Sequence, residues 1–212
     1  NRILSFGRDA SWKKKLIGFL PIVPAPRCLD AACGTGDLAG LLLNRFPDAH
    51  ITAVDLTPTM LDIARRRHRG APIHFVQGDM GRLDIPDGHL DMVTGGYALR
   101  NAPDLNVFLL EIHRVLKPGG TAAFLDFSRP DSAWMAAFYF ALLEFWGGLW
   151  GLLLHRDPHV YGYIAESLKR FPSRKNLHNI LKRNEFILKR TRRFFAGAVE
   201  IIVKEKQDID HQ

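Results

Sequence analysis

The stretch "LDAACGTGD", Leu29–Asp37, decides how the rest of the chain is read. A short apolar run ends in an acid and small residues, and then two glycines flank a threonine. This is the pattern of a buried strand turning sharply into a helix beside a bound nucleotide-like ligand. Gly34, Gly36 and Ala39 satisfy G-x-G-x-x-G/A, and Asp55 closes the next apolar run 19 residues beyond Gly36. Small residues let the backbone approach a ligand, and the later carboxylate accepts hydrogen bonds from ribose hydroxyls. The turn alone suits a nicotinamide dinucleotide equally well, so an NAD-dependent oxidoreductase stays open at this point.

Outward from that turn, strands and helices alternate. "RCLDAA", "HITAVD", "IHFVQGD", "LDMVTGG" and "TAAFLDFS" read as five strands. "GDLAGLLLNRF", "TPTMLDIARRR" (opened by Thr57, with Pro58 at its first position) and "DLNVFLLEIHRVL" read as intervening helices, the last stopped by "KPGG". Helices after strands imply right-handed crossovers and a buried parallel sheet. The tail reads as a helix, "RKNLHNILKRN", and then two strands, "FILKRTRRF" and "AVEIIVKEK", whose short connection predicts antiparallel pairing at the sheet edge. No repeat or low-complexity linker interrupts the 212 residues, so one domain over 1–212 is expected.

Composition narrows the class. Apolar residues make up 47% and charged residues 24%, which excludes disordered and fibrous chains. Cys28 and Cys33 lie in one strand and its turn, poorly placed for a disulfide, which suits a reducing, cytoplasmic compartment. No signal-peptide pattern is read at the start. A net charge of +7 favours anionic partners. No recognition motif or stacking platform supports nucleic acid among them.

The most apolar stretch is "WMAAFYFALLEFWGGLWGLLL", Trp134 to Leu154. It directly follows the fifth strand, where α/β folds build their substrate side, so a membrane-spanning helix there would break the sheet. A hydrophobic lid over 134–170, or a buried core helix, is the alternative. "KKK" at 13–15, "RRRHR" at 65–69 and "KRTRRF" at 189–194 make a positive surface suited to anionic headgroups. "HRDPHVYGYIAES" holds His155, Asp157, His159, Tyr161 and Tyr163. Pro158 interrupts its H-x-D-x-H spacing, so no metal is expected, and His155 or His159 is a secondary acid/base candidate.

The segment "VQGDMGRLDIPDGHLDMVTGGYALRNAPDLNVFLLEIHRVLKPGG" resembles class I S-adenosylmethionine-dependent methyltransferases. More narrowly, five ordered pieces resemble the ubiquinone and menaquinone biosynthesis C-methyltransferase (UbiE-type) family: "NRILSFGRDASWK", "LDAACGTGD", "ALRNAPD", "LDFSRP" and "YGYIAESLKRFP". The resemblance implies a Rossmann-like class I methyltransferase fold. Its parts would be a mostly parallel seven-stranded sheet, an antiparallel C-terminal edge hairpin and an apolar helical lid insertion. It implies S-adenosylmethionine as cofactor and a lipophilic quinol as substrate, a demethylmenaquinol or a benzoquinol. Another small aromatic or lipid-like acceptor, methylated on carbon or oxygen, is the alternative. Peripheral contact with the anionic inner face of the membrane is expected, and a homodimer is compatible.

The site residues follow from the same resemblance. Asp30, Ala32, Gly34, Thr35 and Gly36 would form the methionine and ribose side; Asp30 is otherwise a strand-end acid. Asp55 and Leu56 would hold the ribose, Met60 would pack near adenine (or sit in a helix core), and Asp79 with Met80 would lie by the adenine edge. Gly96, where many family members carry a serine, would face the cofactor from the fourth strand. Methylation of an aromatic carbon needs the neighbouring hydroxyl to lose its proton and the resulting phenolate to be stabilised. "GGYALRN" supplies Tyr97, Arg100 and Asn101 as catalytic candidates. Arg100 stays protonated and would stabilise charge; its alternative is a surface salt bridge. Asn101 would orient the quinol oxygen or cap the helix of "APDLNVFLL". Tyr97 stands where the family commonly has phenylalanine. Asn184-Glu185-Phe186 and Gly197-Ala198 depart from the family's usual Gly-Phe and glycine pair, and "LDIPDGHLD" is a loose form of its Pro-Phe-Pro-Asp loop.

Overall fold

A computed structural model describes residues 8–132, 134–137, 139, 141, 162–194 and 197–207. Its elements in chain order are α1 (Asp9–Gly18), β1 (Arg27–Ala31), α2 (Asp37–Arg45), β2 (His50–Asp55), α3 (Pro58–Arg67), β3 (Ile73–Gln77) and β4 (Leu90–Gly96). They continue with α4 (Ala98–Asn101), α5 (Leu105–Val115), β5 (Leu116–Phe127), α6 (Gly162–Arg170), α7 (Arg174–Arg183), β6 (Phe186–Phe194) and β7 (Val199–Lys206).

The strands form one seven-stranded sheet ordered β3-β2-β1-β4-β5-β7-β6. β1 is an interior strand, third in that order, and four of its five residues, Cys28 to Ala31, are buried, as expected of a strand covered on both faces. It pairs in parallel with β2 (Cys28↔Ile51) and with β4 (Cys28↔Met92). Chain order reverses between β1 and β4, and the carboxyl ends of those two strands therefore open a crevice. β7 enters antiparallel between β5 and β6, completing the expected edge hairpin one position inside the sheet. The strand after α5 starts at Leu116, earlier than "TAAFLDFS" predicts. Lys117–Gly120 fall within it, and a Cβ on Gly120 would lie 2.8 Å from the Lys117 carbonyl.

α2 buries Leu38, Ala39 and Leu42 against the sheet. α3 starts at Pro58 after Thr57 and ends in Arg65–Arg67, cations suited to the negative end of its dipole. α7 is held over the hairpin by Glu200 of β7, whose carboxylate receives Arg174, His178 and Thr191. Burial alone would raise the Glu200 pKa, but the bonds from His178, Thr191 and Arg174 pull it down to about 2. Both cysteines are buried free thiols, and burial pushes Cys28 up to about 12.

Ala32 adopts φ 52°, a left-handed conformation in which a Cβ is costly. Ala32→Gly is expected to raise stability by about 1 kcal/mol, since removing that clash outweighs the added freedom of the unfolded chain. Equilibrium urea unfolding checks this; an unchanged midpoint would mean the turn absorbs the Cβ without strain.

Candidate active site

The crevice at β1 and β4 opens into a cavity of about 1060 Å³. Its floor is the turn after β1. Gly34 and Gly36 take φ 53° and 78°, Gly36 caps the start of α2, and a Cβ on Gly34 would meet no atom within 4 Å. A Cβ on Gly36 would press on the His68 ring at 3.0 Å and Phe75 at 3.2 Å, so only glycine lets α2, α3 and β3 close together here.

The Asp55 carboxylate is set at the end of β2 by two backbone donors, Gly34 N–H at 2.7 Å and Thr57 N–H at 2.8 Å. A carboxylate offers about four acceptor sites, so two bonds leave capacity for a pair of ribose hydroxyls. Leu56 and Met60 stand beside it, 64% and 41% exposed, and both line the cavity. Met60 is thus an apolar surface facing the cavity and not a helix-core residue. Exposed Asp79 accepts from Gly81 N–H, buried Met80 lies next to it, and both line the same wall. Ala32, Thr35 and Gly96 complete the predicted set that reaches the cavity. Left-handed glycines, a carboxylate with spare acceptors and flanking apolar side chains fit the ribose, base and amino-acid parts of S-adenosylmethionine.

Asp30 does not join them. Its carboxylate is buried and accepts Ala39 N–H at 2.9 Å and Thr94 Oγ1–H at 3.2 Å, tying β1 to α2 and β4. Burial pushes its pKa up to about 7. An acid so enclosed holds the turn's shape, and the reading of Asp30 as a direct cofactor contact gives way to that role.

The catalytic candidates separate. Tyr97 takes φ 62°, lines the cavity and donates its hydroxyl to Asp9 Oδ1 at 2.6 Å. Burial, and then the Asp9 carboxylate, push the tyrosine pKa up. Asn101 also lines the cavity, and its Nδ2 donates to the Tyr97 carbonyl at 2.9 Å. It does not cap α5. Asp104 does, accepting Asn106 N–H at 2.8 Å and Val107 N–H at 3.1 Å, because it immediately precedes the first helical residue. Arg100 is buried and is not among the cavity-lining residues. Its guanidinium lies 3.6 Å from Asp126, donates to Ser167 Oγ at 2.9 Å and sits over the Tyr97 and Phe127 rings. It is a buried ion pair and not a surface bridge. Burial pushes Asp126 up to about 6 even with Arg100 opposing it.

Sequence reading missed one wall. Asp9 and Lys13 of α1 line the cavity; Lys13 Nζ bridges Asp9 at 2.7 Å and Asp37 at 2.8 Å, and Arg67 reaches Asp37 from α3. Burial lowers the Lys13 pKa, but Asp37 and Asp9 together raise it further. The sequence signals were the i, i+4 spacing of Asp9 and Lys13 and their place in "NRILSFGRDASWK", one of the five family pieces.

Among the described residues no cluster of three or more His, Cys, Asp or Glu could hold a metal, and no helix is long and apolar enough to cross a membrane. His155, Asp157, His159, Tyr161 and the Tyr163 side chain lie outside the described residues, as does most of the apolar stretch. Trp134 and Met135, at its start, are helical and exposed.

Known proteins share this sequence and fold. The ubiE/COQ5 methyltransferase family matches residues 1–206. A demethylmenaquinone methyltransferase of Thermus thermophilus is 39% identical over 180 residues, 82% of this chain and 80% of that protein. One from Chlamydia caviae is 34% identical over 208 residues, 97% of this chain and 89% of that protein. A crystal structure of a putative methyltransferase from Bacillus halodurans superimposes with a TM-score of 0.72 at 20% identity, covering 93% of this chain and 99% of that one.

Proposed function

The chain belongs to the ubiE/COQ5 methyltransferase family, and from that premise we propose that it methylates a ring carbon of a polyprenylated quinol. Demethylmenaquinol is the first candidate and a ubiquinone-type benzoquinol the second. The enzyme is an S-adenosylmethionine-dependent methyltransferase with the class I fold; a nicotinamide oxidoreductase is set aside by family membership. The observation that carries the substrate reading is the name shared by relatives at 34% and 39% identity over most of the chain. The whole chain acts as one catalytic unit in this reading, at the cytoplasmic face of an anionic membrane. Support for membrane contact comes from exposed Trp134 and Met135 and from edge strand β6, which exposes Lys189, Arg190, Arg192 and Arg193.

S-adenosylmethionine, when bound, supplies an electrophilic methyl on a positively charged sulfur. The protein then has to hold the ring carbon behind that methyl, exclude water and accept the proton of the neighbouring hydroxyl. Asp55 with the Gly34–Gly36 turn would fix one end of the cofactor, and Leu56, Met60 and Met80 would enclose the adenine. Gly96 and Tyr97, at the carboxyl end of β4, would face the reacting end. Asn101 would orient the quinol oxygen.

Two measurements test this reading. Reduced demethylmenaquinone incubated with protein and S-adenosylmethionine should gain one methyl by mass spectrometry. Calorimetry should show S-adenosylhomocysteine bound and NAD not. Asp55→Ala should weaken S-adenosylhomocysteine binding by about 1.5–3 kcal/mol, roughly 10- to 150-fold, as for lost charge-assisted hydrogen bonds. Preference for NAD, or an unchanged affinity in the variant, overturns the assignment of this wall.

A further inference from the structure

We infer that Lys13 of α1 holds the carboxylate at the amino-acid end of the cofactor, and so selects among the adenosyl compounds that the site accepts. The inference rests on the reading of Asp55 as the ribose contact. With the ribose at Asp55 and the base among Leu56, Met60 and Met80, the cofactor's remaining arm is left the rest of the lining: Thr35, Gly96, Tyr97 and, from α1, Asp9 and Lys13. A methionine-type arm ends in an ammonium and a carboxylate. The wall that receives it needs a cation and anions side by side.

Among the described residues that line the cavity, the lysines and arginines are Lys13, Lys14 and Arg67. Lys14 and Arg67 are exposed, so water screens their charge. Lys13 is enclosed, with its side chain 12% exposed. A Cβ built on Gly96 would stand 3.9 Å from Lys13 Cε. The lysine side chain thus reaches the carboxyl end of β4 across a position that has no side chain of its own. Its ammonium carries three donors. One serves Asp9 at 2.7 Å and one Asp37 at 2.8 Å, which leaves the third for a cavity ligand.

Charge balance favours the same ligand. Lys13 and Arg67 offset Asp9 and Asp37, so this group of four is neutral as a whole while its charges stand apart. An amino-acid zwitterion is neutral in the same way. Its carboxylate would take the third Lys13 donor, and its ammonium would lie toward the carboxylates that flank the lysine. Burial opposes the charge on Lys13, but Asp37 and Asp9 outweigh it, so the group stays an ammonium. Asp9 is fixed from the β4 side by the Tyr97 hydroxyl, which it receives at 2.6 Å. Lys13 touches the cofactor in this scheme, whereas Asp9 and Asp37 act through it as positioning residues. A plain nucleoside or a dinucleotide has no zwitterionic arm, so this contact separates ligands that a ribose-binding carboxylate admits alike.

Calorimetry on the full chain tests this with S-adenosylhomocysteine, its decarboxylated form and 5′-methylthioadenosine, each bound to wild type and to Lys13→Met. The variant should bind S-adenosylhomocysteine about 10- to 150-fold more weakly, the loss of one charge-assisted hydrogen bond. The other two ligands lack the carboxylate, and their affinities should change by no more than about 2-fold. Lys13→Gln can still donate to Asp9 and Asp37, and it should show the same split should Lys13→Met fail to fold. An unchanged S-adenosylhomocysteine affinity, or equal losses for all three ligands, overturns the assignment of Lys13. Failure of the underlying reading looks different. Asp55→Ala binding every ligand as wild type does overturns both, whereas a loss in Asp55→Ala with none in the Lys13 variants overturns the Lys13 contact alone.

Discussion

Arg100→Ala is expected to destabilise the protein by about 3–5 kcal/mol, the cost of leaving a buried carboxylate without its partner. For a chain of this length that corresponds to a fall in Tm of about 6–20 °C. The sequence alone invited a different expectation, a fall in turnover of roughly 10²–10³ from a lost phenolate stabiliser. The geometry redirects it. Arg100 faces Asp126, Ser167 and the Tyr97 and Phe127 rings, and is not itself among the cavity-lining residues. Asp126 is 2% exposed, so it has no recourse to water. Its pKa, already pushed up to about 6 by burial, would rise further without the guanidinium. The deficit should therefore be larger at pH 8 than at pH 5, where a proton takes over part of the neutralisation. Denaturant melts at the two pH values measure this. An Arg100→Ala protein with wild-type stability and transfer slowed 10²-fold would restore Arg100 to the chemistry.

The contrast between Arg100 and the cofactor wall shows which features a sequence carries. The turn after β1, the acid ending β2 and the small residue ending β4 are local: each needs only its own strand and the next few residues to be placed. They were legible, and the structure brings Gly34, Asp55, Met60, Met80 and Gly96 to one cavity. The sheet was legible for the same reason, since period and punctuation specify each strand separately. What escaped was long-range pairing of polar groups. Tyr97 meets Asp9 from 88 residues away, and Arg100 meets Ser167 from 67. Nothing in the period of "GGYALRN" says whether its arginine points to solvent or beneath the sheet's end. Asp30 failed for a related reason: an acid at a strand end next to glycines can serve a ligand or the helix behind it, and only the 2.9 Å bond from Ala39 N–H decides. Asn101 and Asp104 competed for one cap. The closer residue won, which the position of Leu105 as the first helical residue already implied.

Removing the polyprenyl tail from the quinol is expected to cost the largest factor of all. One isoprene unit carries five carbons, and burial is worth about 0.8 kcal/mol per methylene-sized group, so its loss forfeits about 4 kcal/mol. That is about 10³-fold in kcat/KM. Because the reacting ring is unchanged, part of the loss should fall on kcat: binding energy from the tail holds the ring carbon in line during transfer. The protein side of this expectation is the apolar run of the sequence from Trp134 to Leu154, whose first residues, Trp134 and Met135, follow β5 in the chain and are exposed. The membrane side is β6, where Arg190 lies over Phe19 at the end of α1 and Arg192 lies over Phe194, whose ring stacks on Trp12 of α1. Near an anionic surface each cation contributes about 1 kcal/mol, so Arg190→Gln with Arg192→Gln should weaken binding to phosphatidylserine vesicles by roughly 30-fold. Raising salt should release the wild type in the same way, since screening shortens the reach of headgroup attraction. Assays with tailless, one-unit and long-tailed demethylmenaquinols, in detergent and on vesicles, separate the two contributions. Equal kcat/KM for tailless and prenylated quinols, with no vesicle binding at low salt, would mean that Trp134 and Met135 begin an ordinary stretch of protein surface. The acceptor would then be a small soluble aromatic, and the cavity beside β4 would have to recognise it by its ring alone.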